Sequence, residues 1–582
     1  MNAQPPSLAA RTLALVAALL VTVLALGACT EDDGGEGTDV SQDEPADGGD
    51  SGDGGDGGDS GDDGDGDGSE PTRGGSLTVA LSSDPGLLNP AATTSGAVHF
   101  ATEIMFNGLV GLDENLEPVP ELATDWEIEE EGALYRFNLR EDVTWHDGEP
   151  FTAEDVKFSF EEVLTELHSR TAASVGSQLE RVEVVDDHTV EFHFEEPYAP
   201  LLQQLDVGEA AIVPKHVFAD ADSIEEHPAS TSEPVGTGPF EIASYDEGSE
   251  LVLQRNDDYF KQDLPYLDEI VMRVIPEESS QVAALESGEV DYLSRVPNAE
   301  VQRLQESDQF QVQETFRGAG AVNCPMTMGF NLDRPMFQDV DVRRGIAWAI
   351  DRQAFVDQVL FGNGFVPNAP LHRGMEWAHP GDMDLPGFDQ QRADQLLTEA
   401  GWVRQDGSEV RMAQGVDGVE DGTPFEMNFL AFTFHSQYGE LMRSQLAEVG
   451  IDVSFEPLEP PSFIERVFTQ RDFDTNIISF CQGPDPEIGV RRQVDSRQIG
   501  DTPFSNAAAY ENEQVDQLLD EGLRTVDTQQ RVQVYRDMQQ ILVEELPYYW
   551  ITEPVFTAGF TARCEGFQPF AQFAEAAHCE PQ

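Results

Sequence analysis

Residues 30–74 set the terms for everything else in the chain. They are almost entirely Asp, Gly, Ser and Glu, with seventeen acidic and no basic residues between Glu31 and Glu70. Such a segment cannot bury enough apolar surface to offset chain entropy, and its like charges keep it extended. Asp63, Asp65, Asp67 and Gly68 match the opening of a calcium-binding loop. Gly74 stands where that loop needs a bidentate Glu, so the stretch is read as a tether. It divides the 582 residues into a short N-terminal piece and one long stretch from Gly75 that must carry all of the folding. That stretch is long enough for two or three domains with separate cores.

The N-terminal piece reads as a leader. Thr12 to Leu26 is an apolar run preceded by Arg11, shorter than the ~20 residues a spanning helix needs. Residues 1–28 are therefore a secretory signal peptide. The run ends in Leu26-Gly27-Ala28-Cys29, which resembles a bacterial lipobox. In that reading Cys29 carries a lipid that holds the protein on the outer face of the cell membrane, and 29–74 is the lipidated cysteine with its linker.

Net charge bounds the partners. With 111 acidic against 32 basic residues the chain stands at −79, and the excess persists after the tether is set aside. Nucleic acid is excluded as a partner, because phosphate binding needs a basic footprint. The plain meaning of the charge is a solvated surface that resists self-association, consistent with a monomer.

From Gly75 the pattern alternates between strands and helices. Ser76 to Ala80, Tyr135 to Leu139, Val182 to Val185, Thr189 to Phe194, Leu251 to Gln254 and Ile270 to Ile275 read as strands. Residues 99–107 read as a helix closed by Gly108. Thr152-Ala153-Glu154-Asp155 has the form of a capping box. Ser279 to Ser287 is a helix stopped by Gly288. Asp339 caps a helix carrying Val342, Ile346, Ala349, Ile350, Val356 and Val359 at helical spacing. Leu396 to Ala400 ends a helix at Gly401, and Asp474 to Phe480 is a buried strand. Late helices run from 515 to 523 and from 531 to 545, the second stopped by Pro547. Mixed elements of this kind indicate α/β lobes.

The order of short motifs then becomes informative. Phe106-Asn107-Gly108-Leu109-Val110 is followed by Pro120-Glu121-Leu122-Ala123, Trp145-His146-Asp147-Gly148 and Gly236-Thr237-Gly238-Pro239-Phe240. Arg255-Asn256, Tyr259, Gly288-Glu289-Val290-Asp291, Ala349-Ile350-Asp351-Arg352 and Asp485-Pro486 come after. From about Gly75 to Pro554 the chain resembles the extracellular solute-binding protein family 5, the dipeptide, oligopeptide and nickel receptors of bacterial ABC importers. The resemblance implies a two-lobed periplasmic-binding-protein-like fold (type II, with an extra nested subdomain) around a hinged cleft. Lobe I would comprise 75–113, 232–327 and 546–582, with a nested subdomain at 114–231; lobe II would be 328–545. It implies an oligopeptide or other small-molecule ligand, ABC permease subunits as partners, no cofactor and no enzymatic step. The alternatives are a receptor for a metal chelate or oligosaccharide, a cell-surface enzyme, or a sensor.

Site residues follow partly from the resemblance and partly from the chain. In peptide receptors of the family a carboxylate near Ser479 to Pro486 pairs with the ligand's terminal ammonium. Here Gln482 falls where the acid is expected, and Asp485 is the candidate substitute, with an Asp-Pro turn as the plain alternative. Phe480 offers a ring to stack on the ligand or to fill the core. Arg491 offers a clamp for a carboxylate or phosphate, or a surface ion pair. Asn89 lies in the segment that resembles the first lobe's side of the cleft. His146 belongs to a turn and is read as structural. No His-Glu-x-x-His, Gly-x-Ser-x-Gly or phosphate-loop pattern occurs, and no metal site is indicated. Cys564 and Cys579, close together in an exported protein, are expected to bridge, adding roughly 3 kcal/mol by loop entropy. In the family, strands near Cys324 and Cys481 approach the hinge; these two are either a second bridge or small buried hydrophobes.

Overall fold

The computed structural model describes residues 71–113, 115–315, 323–569 and 572–580. The leader, Cys29 and nearly all of the tether lie outside the described residues. Two large sheets organise the rest. The first has seven strands in the order Phe310–Thr315, Phe556–Thr561, Tyr292–Leu293, Ser76–Leu81, Glu269–Val274, Glu250–Arg255 and Phe240–Asp246. Ser76–Leu81 lies at its centre, parallel to both neighbours, with consecutive buried residues Val79, Ala80 and Leu81. A strand covered on both faces needs such a run. The second sheet has six strands: Gly364–Phe365, Tyr548–Pro554, Met326–Phe330, Thr475–Ser479, Glu426–Phe432 and Asp452–Leu458.

A separate four-stranded antiparallel sheet is built from Ala123–Glu129, Leu134–Leu139, Thr189–Phe194 and Leu179–Asp186. Its apolar face, with Tyr135, Phe137, Val182 and Phe192, joins the core of the first large sheet. The second sheet has its own core. The described chain is thus two lobes, the first carrying an extra subdomain.

Among the described residues, the first sheet's Phe310–Thr315 is followed in sequence by the second sheet's Met326–Phe330, and the chain returns from the second sheet to the first at Val555, between Tyr548–Pro554 and Phe556–Thr561. This differs from the boundary set at 545 from the sequence. Tyr548–Pro554 pairs with Met326–Phe330 and Gly364–Phe365 in the second sheet. A strand buried along nearly its whole length carries no periodic signal of which sheet it joins. Cys324 and Cys481 are disulfide-bonded just beyond the Met326–Ser479 pair of adjacent strands. Cys564 is bonded to Cys579.

Local signals held where they were strongest. Thr152 and Asp155 make the reciprocal capping box of helix Ala153–Phe158. Gly288 takes φ 75° after helix Glu278–Ser287, a left-handed C-cap that glycine adopts without strain. Two expectations differ. The helix capped by Asp339 stops at Trp348, and Asp351 caps a second helix, Arg352–Gln358. Asp351 accepts from Ala354 N, and its own amide donates to Gln445 Oε1; a residue held this way starts a new helix instead of continuing the old one. Gly108 does not close a helix either: Gly96–Thr102 and a 3-10 turn, Glu103–Met105, end before it. A Cβ at Gly108 would lie 2.2 Å from Leu205 O, so its glycine serves a close backbone approach.

Candidate functional site

A cavity of about 580 Å³ opens on the first lobe's side of the cleft, with Pro484 of the second lobe in its wall. Its lining comes from segments far apart in sequence. His99, Phe100 and Glu103 follow from the first helix, 206–209 from a short capped helix, and Tyr292, Ser294 and Arg295 from the end of a central strand. Gln568, Gln572 and Glu575 come from the C-terminal segment. Strand ends and loops at a boundary between lobes are where ligand sites are commonly built.

The lining is electronegative. Six carboxylates, Glu103, Glu121, Asp206, Glu209, Glu278 and Glu575, face two permanent cations, Lys261 and Arg295. Arg170 neutralises Glu209 through Nε, 2.9 and 3.1 Å from the two carboxylate oxygens. Lys261 Nζ lies 2.8 Å from both Glu121 and Glu575. Burial opposes the Lys261 charge, but these two acids still raise its pKa, while burial raises that of Glu121 against the pull of the lysine. Among the described residues, Asp206 has no such counterion in contact. Burial, with Glu209 and Glu103 nearby, pushes its carboxyl up to about 7. His99 Nε2 lies 2.8 Å from the Thr93 carbonyl and must donate to it. Nδ1 lies 3.2 Å from Glu103 Oε1. The wall thus holds two carboxyls, Asp206 and Glu121, that burial pushes toward the neutral form.

The ligand residues expected from the sequence all have partners inside the protein. Asn89 is fully buried, donates to Ser230 Oγ at 2.9 Å and caps a 3-10 turn by accepting from Ala91 N. Phe480 is core, edge-on to Tyr548. Gln482 accepts from His372 N at 2.9 Å and donates to the Pro370 carbonyl at 3.1 Å. Asp485 is fully buried and gripped by Arg531. Arg491 pairs with Glu487, Asp495 and Asp520. The stretch 479–486 does reach the cavity, through Pro484. The turn residues flanking that proline have their polar groups turned into the second lobe.

His146 is held as a turn residue. Gly236 N donates to its Nδ1 at 3.2 Å, and its Nε2 donates to Gly238 O at 3.1 Å. Burial lowers its pKa to about 4, so the ring stays neutral. A Cβ at Gly236 would lie 1.7 Å from Met105 O, which explains the glycine there. Asn107, Glu121 and Thr237, from three separate motifs, meet in one network: Asn107 donates to Glu121 at 2.6 Å and accepts from Thr237 at 2.9 Å. These motifs thus build the floor behind the cavity. Asp206 and Gln572 gave no sequence signal, since each acquires its setting from segments distant in the chain.

A second contact between the lobes lies apart from the strand crossings. Ala199 N of the subdomain donates to Leu523 O at 2.8 Å, Glu196 pairs with Arg524, and Leu523 packs into the first lobe's core.

Two α/β lobes joined by two crossings around an interlobe cavity define a solute-binding protein. Residues 117–500 match the family described as "Bacterial extracellular solute-binding proteins, family 5 Middle", and the chain belongs to that family. It is 27% identical over 520 residues, covering 86% of this chain and 90% of the relative, to the oligopeptide-binding protein AppA of Bacillus subtilis. Among solved structures it resembles AppA from Bacillus subtilis in complex with a nonapeptide, with TM-score 0.69 and 24% identity over 88% of this chain and all of the other. NikA from Brucella suis in complex with Fe(III)-EDTA gives TM-score 0.74 and 24% identity over 86% and 98% of the two chains.

Proposed function

We propose that this chain is the extracytoplasmic receptor of an ABC importer. It takes a peptide-like solute with a free ammonium group into the interlobe cavity and passes it to a membrane permease without changing it. The observation that carries this reading is the cavity wall, where carboxylates outnumber permanent cations and Asp206 has no counterion in contact. A buried carboxylate gains most from a cation that brings its own charge and hydrogen bonds. The oligopeptide-binding relative supports the peptide class. The protein works as a monomer, tethered through a lipid on Cys29 after removal of residues 1–28.

Native mass spectrometry of the protein exported by a bacterial host tests the ligand. Co-purified masses matching short peptides are expected. A single non-peptide mass, or a cavity that peptides fail to stabilise against heat, overturns the peptide reading. Metabolic labelling with a radioactive fatty acid tests the anchor: label on the wild type and none on Cys29→Ser is expected, and equal labelling of both rejects it.

A further inference from the structure

The last residues of the chain are closed into a loop by Cys564–Cys579, fifteen positions apart. The loop does not hang from the surface. Phe567 and Phe573 are buried, and both rings pack on Tyr292, with centroids 4.7 and 4.9 Å away. Phe573 also stacks on Phe100 at 4.9 Å. Tyr292 and Phe100 themselves line the cavity. At the neck of the loop a Cβ on Gly566 would lie 2.3 Å from Ala576 O, so the two arms touch backbone to backbone. The described parts of the loop, 564–569 and 572–579, thereby wall the cavity from behind and beside.

Gln572 is tightly held within the loop. It holds φ 58°, left-handed for a residue with a side chain, and is 8% exposed. Backbone strain of this kind persists where the surroundings enforce it, and it collects at binding sites. Its Nε2 donates to Phe106 O at 2.7 Å. A carbonyl only accepts, which fixes the orientation of the amide. Oε1 is left as the atom able to accept from the cavity that Gln572 lines. Gln568 and Glu575 of the same loop line that cavity as well.

We infer that the disulfide-closed C-terminal loop is a ligand-recognition element, in which Gln572 Oε1 accepts an N–H from the bound solute and Gln568 and Glu575 set which solutes fit. The cystine holds the acceptor in register by limiting the open conformations of the loop. The inference rests on the proposal that the interlobe cavity is the ligand site, but not on the ligand being a peptide.

The test uses the full mature protein, with two probe panels measured by native mass spectrometry and isothermal titration. One is an equimolar pool of synthetic peptides of mixed length; the other is a pool of oligosaccharides and metal–chelate complexes. Whichever panel yields a ligand for the wild type supplies the probe. Gln572→Leu is expected to weaken that ligand about tenfold, the scale of one lost hydrogen bond in a desolvated site. Gln568→Ala, at an exposed position, is expected to change the ranking within the panel. Cys564→Ser with Cys579→Ser is expected to weaken binding while the melting transition stays cooperative. Gln572→Leu and the cysteine double variant checked for a cooperative melt, and Gln568→Ala checked likewise, separate loss of recognition from loss of fold. Wild-type affinity and ranking in all three folded variants would overturn the inference. Binding from the second panel alone overturns the peptide reading and leaves this inference to be decided by the same variants. A wild type that takes nothing from either panel overturns both.

Discussion

Arg531 grips the carboxylate of Asp485 through two guanidinium nitrogens, with Nη2 2.9 Å from Oδ1, and both side chains are 5% exposed or less. Nε of the same arginine donates to Gly522 O at 2.7 Å, so one guanidinium joins the loop after Thr475–Ser479 to the two last helices, Glu513–Arg524 and Thr528–Glu545. Removing one member strands a buried charge, which costs about 3–5 kcal/mol, whereas replacing both can be nearly neutral. Arg531→Met is expected to lower urea stability by about that amount. Adding Asp485→Asn to it is expected to recover much of the loss. Equal stability of wild type and Arg531→Met would contradict this.

Asp206 predicts a pH dependence with a definite sign. Its folded carboxyl is held up to about 7, above the ordinary carboxyl value of 3.8, so the folded state keeps the proton more tightly than the unfolded chain. Stability from this group is full at low pH, declines as pH rises from near 4 to near 7, and levels off above. Asp206→Asn removes the cost and keeps an acceptor for Gly208 N. The variant is expected to melt a few degrees above the wild type at about pH 8, and to match it near pH 4. Binding of the proposed ammonium-bearing ligand is expected to run the other way: in the wild type it should strengthen as Asp206 loses its proton, and in the variant this pH dependence should disappear from calorimetric titrations.

Leu523 ties the second lobe to the subdomain. It is 6% exposed within the first lobe's core, so Leu523→Ala is expected to cost about 2–5 kcal/mol in the intact protein. The same change weakens the contact that holds the lobes together, which is expected to speed ligand release about tenfold with little change in association rate. Stopped-flow dissociation reads this. An unchanged off-rate would show that the rim contact plays no part in retention.

The Cys324–Cys481 bond closes 157 positions of chain. Loop entropy gives an upper bound of about 5 kcal/mol for its stabilisation. The double serine variant is expected to unfold at lower urea with a steeper dependence on denaturant, since its unfolded chain is less compact. A midpoint equal to that of the wild type would limit the bridge to a local role.

Short-range signals were legible because their physics is short-range. Thr152 and Asp155 are three positions apart, and the box they form needs only one helical turn. Gly288 and Gly148 mark turns because each takes a left-handed conformation. The candidate site was legible only as a neighbourhood. The stretch 479–486 does border the cavity at Pro484, but which of its side chains face the ligand depends on how the loop turns. Gln482 and Asp485 are claimed by Pro370, His372 and Arg531, residues 46 to 112 positions away. Asn89, expected in the cleft from the sequence, is held by Ser230, 141 positions on.

By itself the sequence determined the alternation of strands and helices and the local caps, which follow from periodicity and from signals that act over a few residues, and the family, through the resemblance carried by its ordered motifs. The tertiary structure decided that Tyr548–Pro554 belongs to the second sheet and that Asp485 is a structural ion pair. It also decided that Asp206 is left without a counterion in contact and that the C-terminal loop walls the cavity. Each of those depends on which distant groups satisfy or fail to satisfy a buried charge, an amide or a strand edge, and that is fixed only when the chain has packed.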